Sequence, residues 1–230
     1  MNGLKSLVWK RAAINRKASD VSIKNHLDGS IEIILNGDLP VNTAMYNQCI
    51  RVYPDGTIKV GFGMSASRWG TFPELPRFGS RFTLPEEFYR IKYYGRGPWE
   101  NYADRKSSAK VGVYTSTTEE QFFPYLRAQE TGNHTDVRWV EFLDTNGNGI
   151  RIEGAPFINF TAIQYRLEDL DGSEICKQKN IHFVNKDNNN HIFIDLMQNG
   201  VGQFCQVLDK YRLKQNKYYF EYIIRPIKCV

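Results

Sequence analysis

Two segments of the 230-residue sequence combine carboxylates, arginines, amides and aromatic rings closely enough to bind or act on a polar ligand. They are GRGPWENYADRK (95–106) and PYLRAQETGNHTDVRW (124–139). Planar polar groups form paired hydrogen bonds with sugar hydroxyls, and aromatic faces stack on the apolar face of a sugar ring. The candidate residues in these segments are Arg96, Trp99, Glu100, Asn101, Asp104, Arg105, Arg127, Gln129, Glu130, Asn133, Asp136, Arg138 and Trp139.

The same candidate residues also admit a structural interpretation. Buried charges at this density need mutual pairing, so an arginine–carboxylate network would lock irregular loops onto a sheet or form a domain interface. Gly95 and Gly97 would then allow tight backbone geometry. Residue types alone leave sugar recognition and the structural network open.

Three apparent ligand motifs fail on their spacing. Residues 95–97 lack the third glycine and the helix of a dinucleotide loop. DTNGNGI (144–150) begins like a calcium loop, but Ala155 stands where a bidentate glutamate is required, so a hairpin turn is favoured. His134 and Asp136 supply only two ligands, and the four cysteines show no paired spacing. We predict no metal site and no cofactor in this chain.

The rest of the sequence reads as strands separated by turns. Hairpins are predicted around residues 54–56 and around Asn146-Gly147, and residues 30–35 alternate as a strand before Asn36-Gly37. HIFIDLMQ (191–198) is expected to place Ile192, Ile194 and Leu196 on one face. KYYFEYIIRPI (217–227) is expected to do the same for Tyr218, Phe220, Tyr222 and Ile224. With almost no helical periodicity beyond one short turn near STTEEQFF (116–123), we predict an all-β antiparallel sandwich or barrel. The domain is expected to span 21–230, after a loosely attached lead-in at 1–20.

Charge and hydropathy exclude several partner classes. The net charge of +5 is spread along the chain, whereas nucleic-acid binding favours a concentrated basic stripe. No apolar run reaches the length of a membrane span, and MNGLKSLVWKRAAINRK (1–17) contains no signal-peptide core. We expect neither a nucleic-acid nor a membrane partner, and the sequence leaves cytoplasmic and periplasmic locations open.

The two segments, followed by DLMQNGVG (195–202), resemble in order the motifs of the C-terminal domain, or small chain, of glycoside hydrolase family 2 β-galactosidases. The resemblance extends from about Gly29 to the C-terminus and includes LPRFGSRFTLPEEF (75–88). It implies a large antiparallel two-sheet supersandwich, similar to galactose mutarotase. It also implies a parent enzyme that removes terminal non-reducing β-D-galactose with retention.

The resemblance further implies that the catalytic residues lie elsewhere. A retaining glycosidase needs two carboxyl groups about 5 Å apart, and in this family both glutamates belong to a separate (β/α)8 barrel. The present sequence has no Asn-Glu dipeptide and no alternating strand–helix pattern. We therefore expect a non-catalytic domain whose partner is that barrel, with galactosides as a further candidate ligand and a homo-oligomeric parent. By the same resemblance, Gln203 and Phe204 are expected to face the barrel.

Two alternative functions remain open at this point. The first is an aldose 1-epimerase-like enzyme that uses His134 or His182 with Glu130 as acid and base. The second is a free-standing carbohydrate-binding module. A mutarotase assay separates the former from a non-catalytic domain, and a galactose titration separates the latter.

Overall fold

A computed structural model describes residues 3–39, 44–66, 74–170, 179–202 and 207–229. Strands dominate these ranges. The helices are α1 (Gly3–Ile14) and the single turn α2 (Leu167–Leu170), with two 3-10 turns at Ile181–Phe183 and Asp209–Tyr211. The strands are β1 (Lys17–Asn25), β2 (Ile31–Leu39), β3 (Ala44–Val52), β4 (Ile58–Ser65), β5 (Arg77–Pro85), β6 (Arg90–Gly97), β7 (Lys110–Thr117), β8 (His134–Leu143), β9 (Gly149–Ile163), β10 (Asn189–Gln198) and β11 (Lys217–Ile227).

The described strands form one antiparallel hydrogen-bonded network that branches at β9. Its main path runs β1-β2-β3-β4-β11-β9-β8-β6-β7. The first half of β9 (149–154) pairs with β11, whereas its second half (159–163) pairs with β10, which in turn pairs with β5. Because β9 is 15 residues long, it can serve both neighbours.

The branch lets two layers face each other. We call β1–β4 with β11 the first layer, and β5 with β10 the second layer. Phe78 of β5 packs against Phe62 of β4 and Tyr218 of β11, with ring centroids 5.1 and 5.3 Å apart. The hydroxyls of Ser80 in β5 and Tyr222 in β11 lie 2.7 Å apart. The predicted all-β antiparallel sandwich is thus confirmed, with β9 common to both layers.

The face predicted for three apolar residues of β10 is correct for only two of them. Ile192 and Ile194 are fully buried, as expected. Leu196 is 37% exposed, so the prediction that it shares their face was wrong. The register with β5 shifts between Asp195 and Met197, and this bulge turns Leu196 outward.

Local turn chemistry explains the two hairpins, which are both confirmed. Asp55 Oδ1 accepts a hydrogen bond from the Thr57 backbone N–H at 2.8 Å in the turn between β3 and β4. Between β8 and β9, Asp144 Oδ1 accepts the backbone N–H groups of Asn146 and Asn148, both at 2.8 Å. Asn36-Gly37 does not end a strand, because β2 continues through it to pair with β3. The short turn predicted near 116–123 is present at residues 118–121.

The helix α1 was not predicted from the sequence. Trp9 and Ala12 are buried with the core residues, and Trp9 Nε1 donates to the Glu74 carbonyl at 3.0 Å. The sequence of α1 has almost no amphipathic periodicity, so the helix depends on tertiary contacts such as these. The division at residue 20 stays a prediction. No described helix has the length and apolar character needed to cross a membrane.

The β10 bulge predicts different costs for two substitutions on the same strand. Ile194→Ala should lower the free energy of unfolding by about 2–5 kcal/mol, because it leaves a cavity in the core. Leu196→Ala should cost less than about 1 kcal/mol, because its side chain already contacts solvent. Urea denaturation of both variants measures the difference, and equal losses would contradict the observed register.

Candidate functional site

The carboxylate of Glu100 joins the two polar segments. Glu100 follows β6 and is largely buried, with 13% of its side chain exposed. Its oxygens accept hydrogen bonds from the Gly132 backbone N–H (2.7 Å), Arg105 Nη2 (2.5 Å), the Tyr102 hydroxyl (3.3 Å) and the Tyr125 hydroxyl. Because these donors belong to both segments, one side chain fixes the loop after β6 against the loop before β8.

Two buried asparagines connect the same loops. The backbone N–H of Asn101 donates to the Asn133 carbonyl, and Asn133 Nδ2 donates back to the Asn101 carbonyl, both at 2.7 Å. Asn101 Oδ1 accepts from the backbone N–H and hydroxyl of Thr135 at 3.0 and 2.6 Å. Its Nδ2 donates to the carbonyls of Arg96 and Trp99, each at 3.0 Å. The amides therefore satisfy backbone groups that would otherwise be buried without partners.

Asp136 is a second anion at the edge of the site. Its φ of 53° lies in the left-handed region, where a non-glycine residue needs support from its surroundings. Its carboxylate accepts Arg96 Nε at 2.5 Å and Lys106 Nζ at 2.9 Å. Burial opposes ionisation, but these two cations hold the pKa of Asp136 below its ordinary value. The irregular backbone also brings Val137 so close to Gly95 that a Cβ there would lie 2.5 Å from Val137 Cγ2.

The remaining cation at this edge stacks on aromatic rings. Arg138 Nη1 donates to the Asp136 carbonyl at 2.5 Å. The Arg138 guanidinium lies over the rings of Phe157 and Tyr94, 4.4 and 5.1 Å from their centroids. Trp139 is half-buried under Arg151, whose guanidinium carbon is 4.1 Å from its ring centroid. Each of these three rings therefore has a protein cation over one of its faces.

A third group of charges lies where β5 meets β10. Arg77 donates to Asp195 Oδ2 through Nε (3.0 Å) and Nη2 (2.5 Å), and through Nη1 to Glu130 at 3.4 Å. Burial raises the pKa of both acids above their ordinary values, although Arg77 opposes the shift. Glu130 Oε1 is buried with no hydrogen-bond partner in the described part of the chain. Neither Arg77 nor Asp195 was selected from the sequence, although both lie in segments that carry the family resemblance.

Asp104 connects the first segment to the DLMQNGVG segment. Its carboxylate accepts the backbone N–H groups of Val201 and Gly202 at 3.1 and 3.0 Å. Gly200 is required for this approach, because a Cβ there would lie 2.4 Å from Asp104 Oδ2. Asp104 thereby fixes the chain just before Gln203 and Phe204, which lie outside the described residues.

The candidate residues thus fall into three groups. Hydrogen bonds or ion pairs bring together Arg96, Glu100, Asn101, Arg105, Asn133, Asp136 and Arg138, while Asp104, Glu130 and Trp139 hold neighbouring positions. Trp99 is 80% exposed, Arg127 is exposed as well, and Gln129 is half-buried. The sequence predicted the polar character of the segments but did not separate these groups.

His134 is fully buried beneath the network. Its Nε2 lies 2.5 Å from Gln121 Oε1, and its Nδ1 lies 3.1 Å from the Tyr93 hydroxyl and 3.0 Å from the Arg96 carbonyl. Burial lowers the pKa of His134 to about 4. Both ring nitrogens are occupied, so His134 is a neutral packing group in this structure. Within the described ranges, no three His, Cys, Asp or Glu residues are grouped as metal ligands.

The position of Glu100 predicts a large effect from a nearly isosteric change. Glu100→Gln should lower the free energy of unfolding by about 2–3 kcal/mol, because it removes charge-assisted hydrogen bonds and turns an NH2 group toward donors. Glu87→Gln, at an exposed position, is the matched control and should change stability by less than about 0.5 kcal/mol. Equal unfolding midpoints for the two variants would contradict the central place of Glu100.

The buried His134 predicts a pH dependence of stability. Between pH 6.5 and pH 4 the unfolded chain binds a proton that the folded chain excludes, so His134 makes folding less favourable as the pH falls. Between pH 6.5 and pH 4, the exclusion of this proton lowers the free energy of unfolding by about 3 kcal/mol. Relative to wild type, His134→Gln should lose less stability between pH 7 and pH 4. His182→Gln, at an exposed histidine, should give a profile parallel to wild type. A parallel profile for His134→Gln would refute the assignment.

Comparison with known proteins shows which family the chain resembles. The family described as "Beta galactosidase small chain" matches residues 2–224. The β-galactosidase of Priestia megaterium is 35% identical over 71% of this chain and 16% of its own length. The β-galactosidase BgaC of Bifidobacterium adolescentis is 32% identical over 84% of this chain and 18% of its own length. A Kluyveromyces lactis β-galactosidase is 28% identical over 93% of this chain and 21% of its own length.

A solved structure gives a weaker likeness. The galactosidase domain of alpha-galactosidase-sucrose kinase aligns with a TM-score of 0.46 and 8% identity, over 92% of this chain and 28% of that one. The chain spans only about a sixth to a fifth of the curated relatives named above. The family match, in contrast, covers nearly all of the chain, and we conclude that it belongs to the β-galactosidase small chain family.

Proposed function

We propose that this chain is the non-catalytic C-terminal domain of a β-galactosidase, where it supports a separate catalytic barrel. The barrel removes terminal non-reducing β-D-galactose with retention. Family membership supports this proposal, and so does the small share of each relative that the chain matches. Most of such an enzyme's polypeptide therefore lies outside a segment of this size.

The observation that carries the non-catalytic role is the occupancy of the carboxylates. Retaining hydrolysis needs one carboxyl to protonate the leaving oxygen and a second, about 5 Å away, to attack the sugar. Glu100 is surrounded by protein donors, Asp195 is paired with Arg77, and Asp136 is paired with two cations. Glu130 is held by Arg77, and its second oxygen is buried. A sugar could reach two of these four carboxyl groups only after these contacts were broken.

The same network suits a supporting role. Glu100 and Asn101 directly follow Trp99 and fix this loop, because Glu100 accepts the Gly132 N–H and Asn101 donates to the Trp99 carbonyl. The exposed indole of Trp99 therefore projects from a rigid base. Tryptophan and arginine are the residues that most often dominate protein interfaces. In our proposal Trp99 and Arg127 contact the barrel, and Gln203 and Phe204 extend that contact from the point fixed by Asp104.

The contacts of the histidines speak against an epimerase. That reaction needs an acid and a base on opposite sides of one sugar, with pKa values near the working pH. His134 is enclosed by Tyr93 and Gln121, and its pKa is lowered to about 4. His182 lies at the surface, on the short turn Ile181–Phe183.

Activity measurements on separate polypeptides test the proposal. This chain alone should give no hydrolysis of o-nitrophenyl β-D-galactoside, and the remainder of the parent enzyme alone should give little. Mixing them should restore activity, because the chain supplies support and the remainder supplies both glutamates. Hydrolysis by this chain alone, or full activity of the remainder, would overturn the proposal. Galactose titrated into the chain distinguishes a carbohydrate-binding module.

The mixing assay also tests whether Trp99 contacts the barrel. Trp99→Ala should raise the chain concentration needed for half-maximal activity about tenfold or more, since truncating an interface tryptophan commonly costs more than about 1.4 kcal/mol. Tyr89→Ala removes another exposed aromatic side chain outside the network and should leave that concentration unchanged. Equal values for the two variants would place Trp99 outside the interface.

A further inference from the structure

The first layer of the sandwich exposes part of its apolar face. Directly opposed residues in antiparallel strands share a face of the sheet. One row of opposed residues runs from the core to the sheet edge, through Tyr222, Val60, Ile50, Ile33 and Ile23. Tyr222 and Val60 are 3% and 6% exposed, whereas Ile23 is 70% exposed. The row therefore begins in the core and ends in solvent without changing its apolar character.

The two neighbouring rows repeat this pattern. One row runs from buried Phe220 through Phe62, Gln48 and Leu35 to Val21, which is 55% exposed. The other contains Ile224, Ile58, Val52 and Ile31, and the last two are exposed. We call the part of this face on β1, β2 and β3 the open face. Its exposed members are Val21, Ile23, Ile31 and Val52, with Ile33, Leu35 and Ile50 half-buried.

The reverse side of the same strands is mostly polar. Lys24, Glu32, Arg51 and Lys59 form one row of opposed residues there. Asp20, Asn36, Asn47 and Gly63 form another. Antiparallel strands that alternate in this way normally bury the apolar side and solvate the polar one. The alternation of β1–β3 is thus typical of strands with one buried face. The described residues, however, do not cover that face.

The second layer ends where the open face begins. Phe78 and Ser80 of β5 lie over β4 and β11, where they contact Phe62 and Tyr222. Among the described strands, β5 pairs with β10 alone, so its other edge has no strand beside it. Unpaired strand edges are templates for a further strand. Continuation of the second layer from this edge would carry it across β3, β2 and β1.

We propose that a β-strand segment of the parent β-galactosidase, outside this chain, pairs with the free edge of β5 and covers the open face. This inference rests on the proposed function. The segment has alternating apolar residues, which point toward Ile23, Ile33 and Ile50, and polar residues on its outer side. It completes the second layer of the sandwich.

Two observations favour this occupant over a second copy of the chain. The open face is continuous with the domain's own core and adjoins an edge of its own second layer, so one added layer satisfies both. The matched relatives also contain several times more polypeptide than this chain, which provides a source for the segment.

Thermal unfolding of Ile23→Lys in two contexts tests this proposal. In the intact parent enzyme, the lysine would be buried under the added layer, and the unfolding temperature of this domain should fall by at least about 5 °C. In the isolated chain Ile23 is solvent-exposed, so the same substitution should shift the unfolding temperature by less than about 2 °C. Ser22→Lys, on the polar side of the same strand, is the matched control and should have little effect in either context.

Equal unfolding temperatures for the two variants in the intact enzyme would overturn the proposal. So would an isolated chain that sediments as a dimer and is dissociated by Ile23→Lys, if the intact enzyme is unaffected. Hydrogen exchange supplies a second readout, since β5 amides directed away from β10 should exchange at least tenfold more slowly in the intact enzyme. An intact polypeptide without galactosidase activity would refute the proposed function. The unfolding temperatures and exchange rates would still show whether a strand of that polypeptide covers the open face.

Discussion

The fold of the polar site depends on one buried anion, Glu100. Its carboxylate receives hydrogen bonds from its own loop through Arg105 and from the loop before β8 through Gly132 and Tyr125. Irregular loops cannot satisfy their backbone groups with ladder partners, so side chains must supply the missing acceptors and donors. Glu100 and Asn101 do so for both loops at once. Charge pairing around them then follows from burial, because an unpaired charge there would be costly.

This constraint explains why a site rich in carboxylates is poorly suited to acid–base catalysis. A catalytic carboxyl must exchange protons and contact substrate, whereas the acids of this network are engaged with arginine, lysine, tyrosine or backbone donors. The buried pair at Arg77 extends the network into the second layer of the sandwich. The loops and the β-layers are therefore connected through charged side chains, as the supporting role that we propose requires. Exposed Trp99 remains outside this pairing, and in our proposal it contacts the catalytic barrel.

Local chemistry determined what could be predicted from the sequence. The hairpin at Asn146-Gly147 was predictable because its turn residues and the Asp144 acceptor lie within five positions. The ion pair between Arg77 and Asp195 was not predictable, because 118 residues separate the two and only the pairing of β5 with β10 brings them together. The outward turn of Leu196 depends on a register shift that leaves no local signal. The motifs indicated which segments are rich in polar groups, whereas the fold decided which of their residues are paired and which are exposed.

Covalent trapping tests the central claim most directly. A retaining β-galactosidase forms a glycosyl-enzyme intermediate that a 2-deoxy-2-fluoro-galactoside with a good leaving group should accumulate. After trapping in the intact enzyme, peptide mass spectrometry locates the modified carboxylate. Our account predicts a labelled glutamate outside residues 1–230 and no label on Glu100, Glu130 or Asp195. A fluorogalactosyl group attached to any carboxylate of this chain would contradict it.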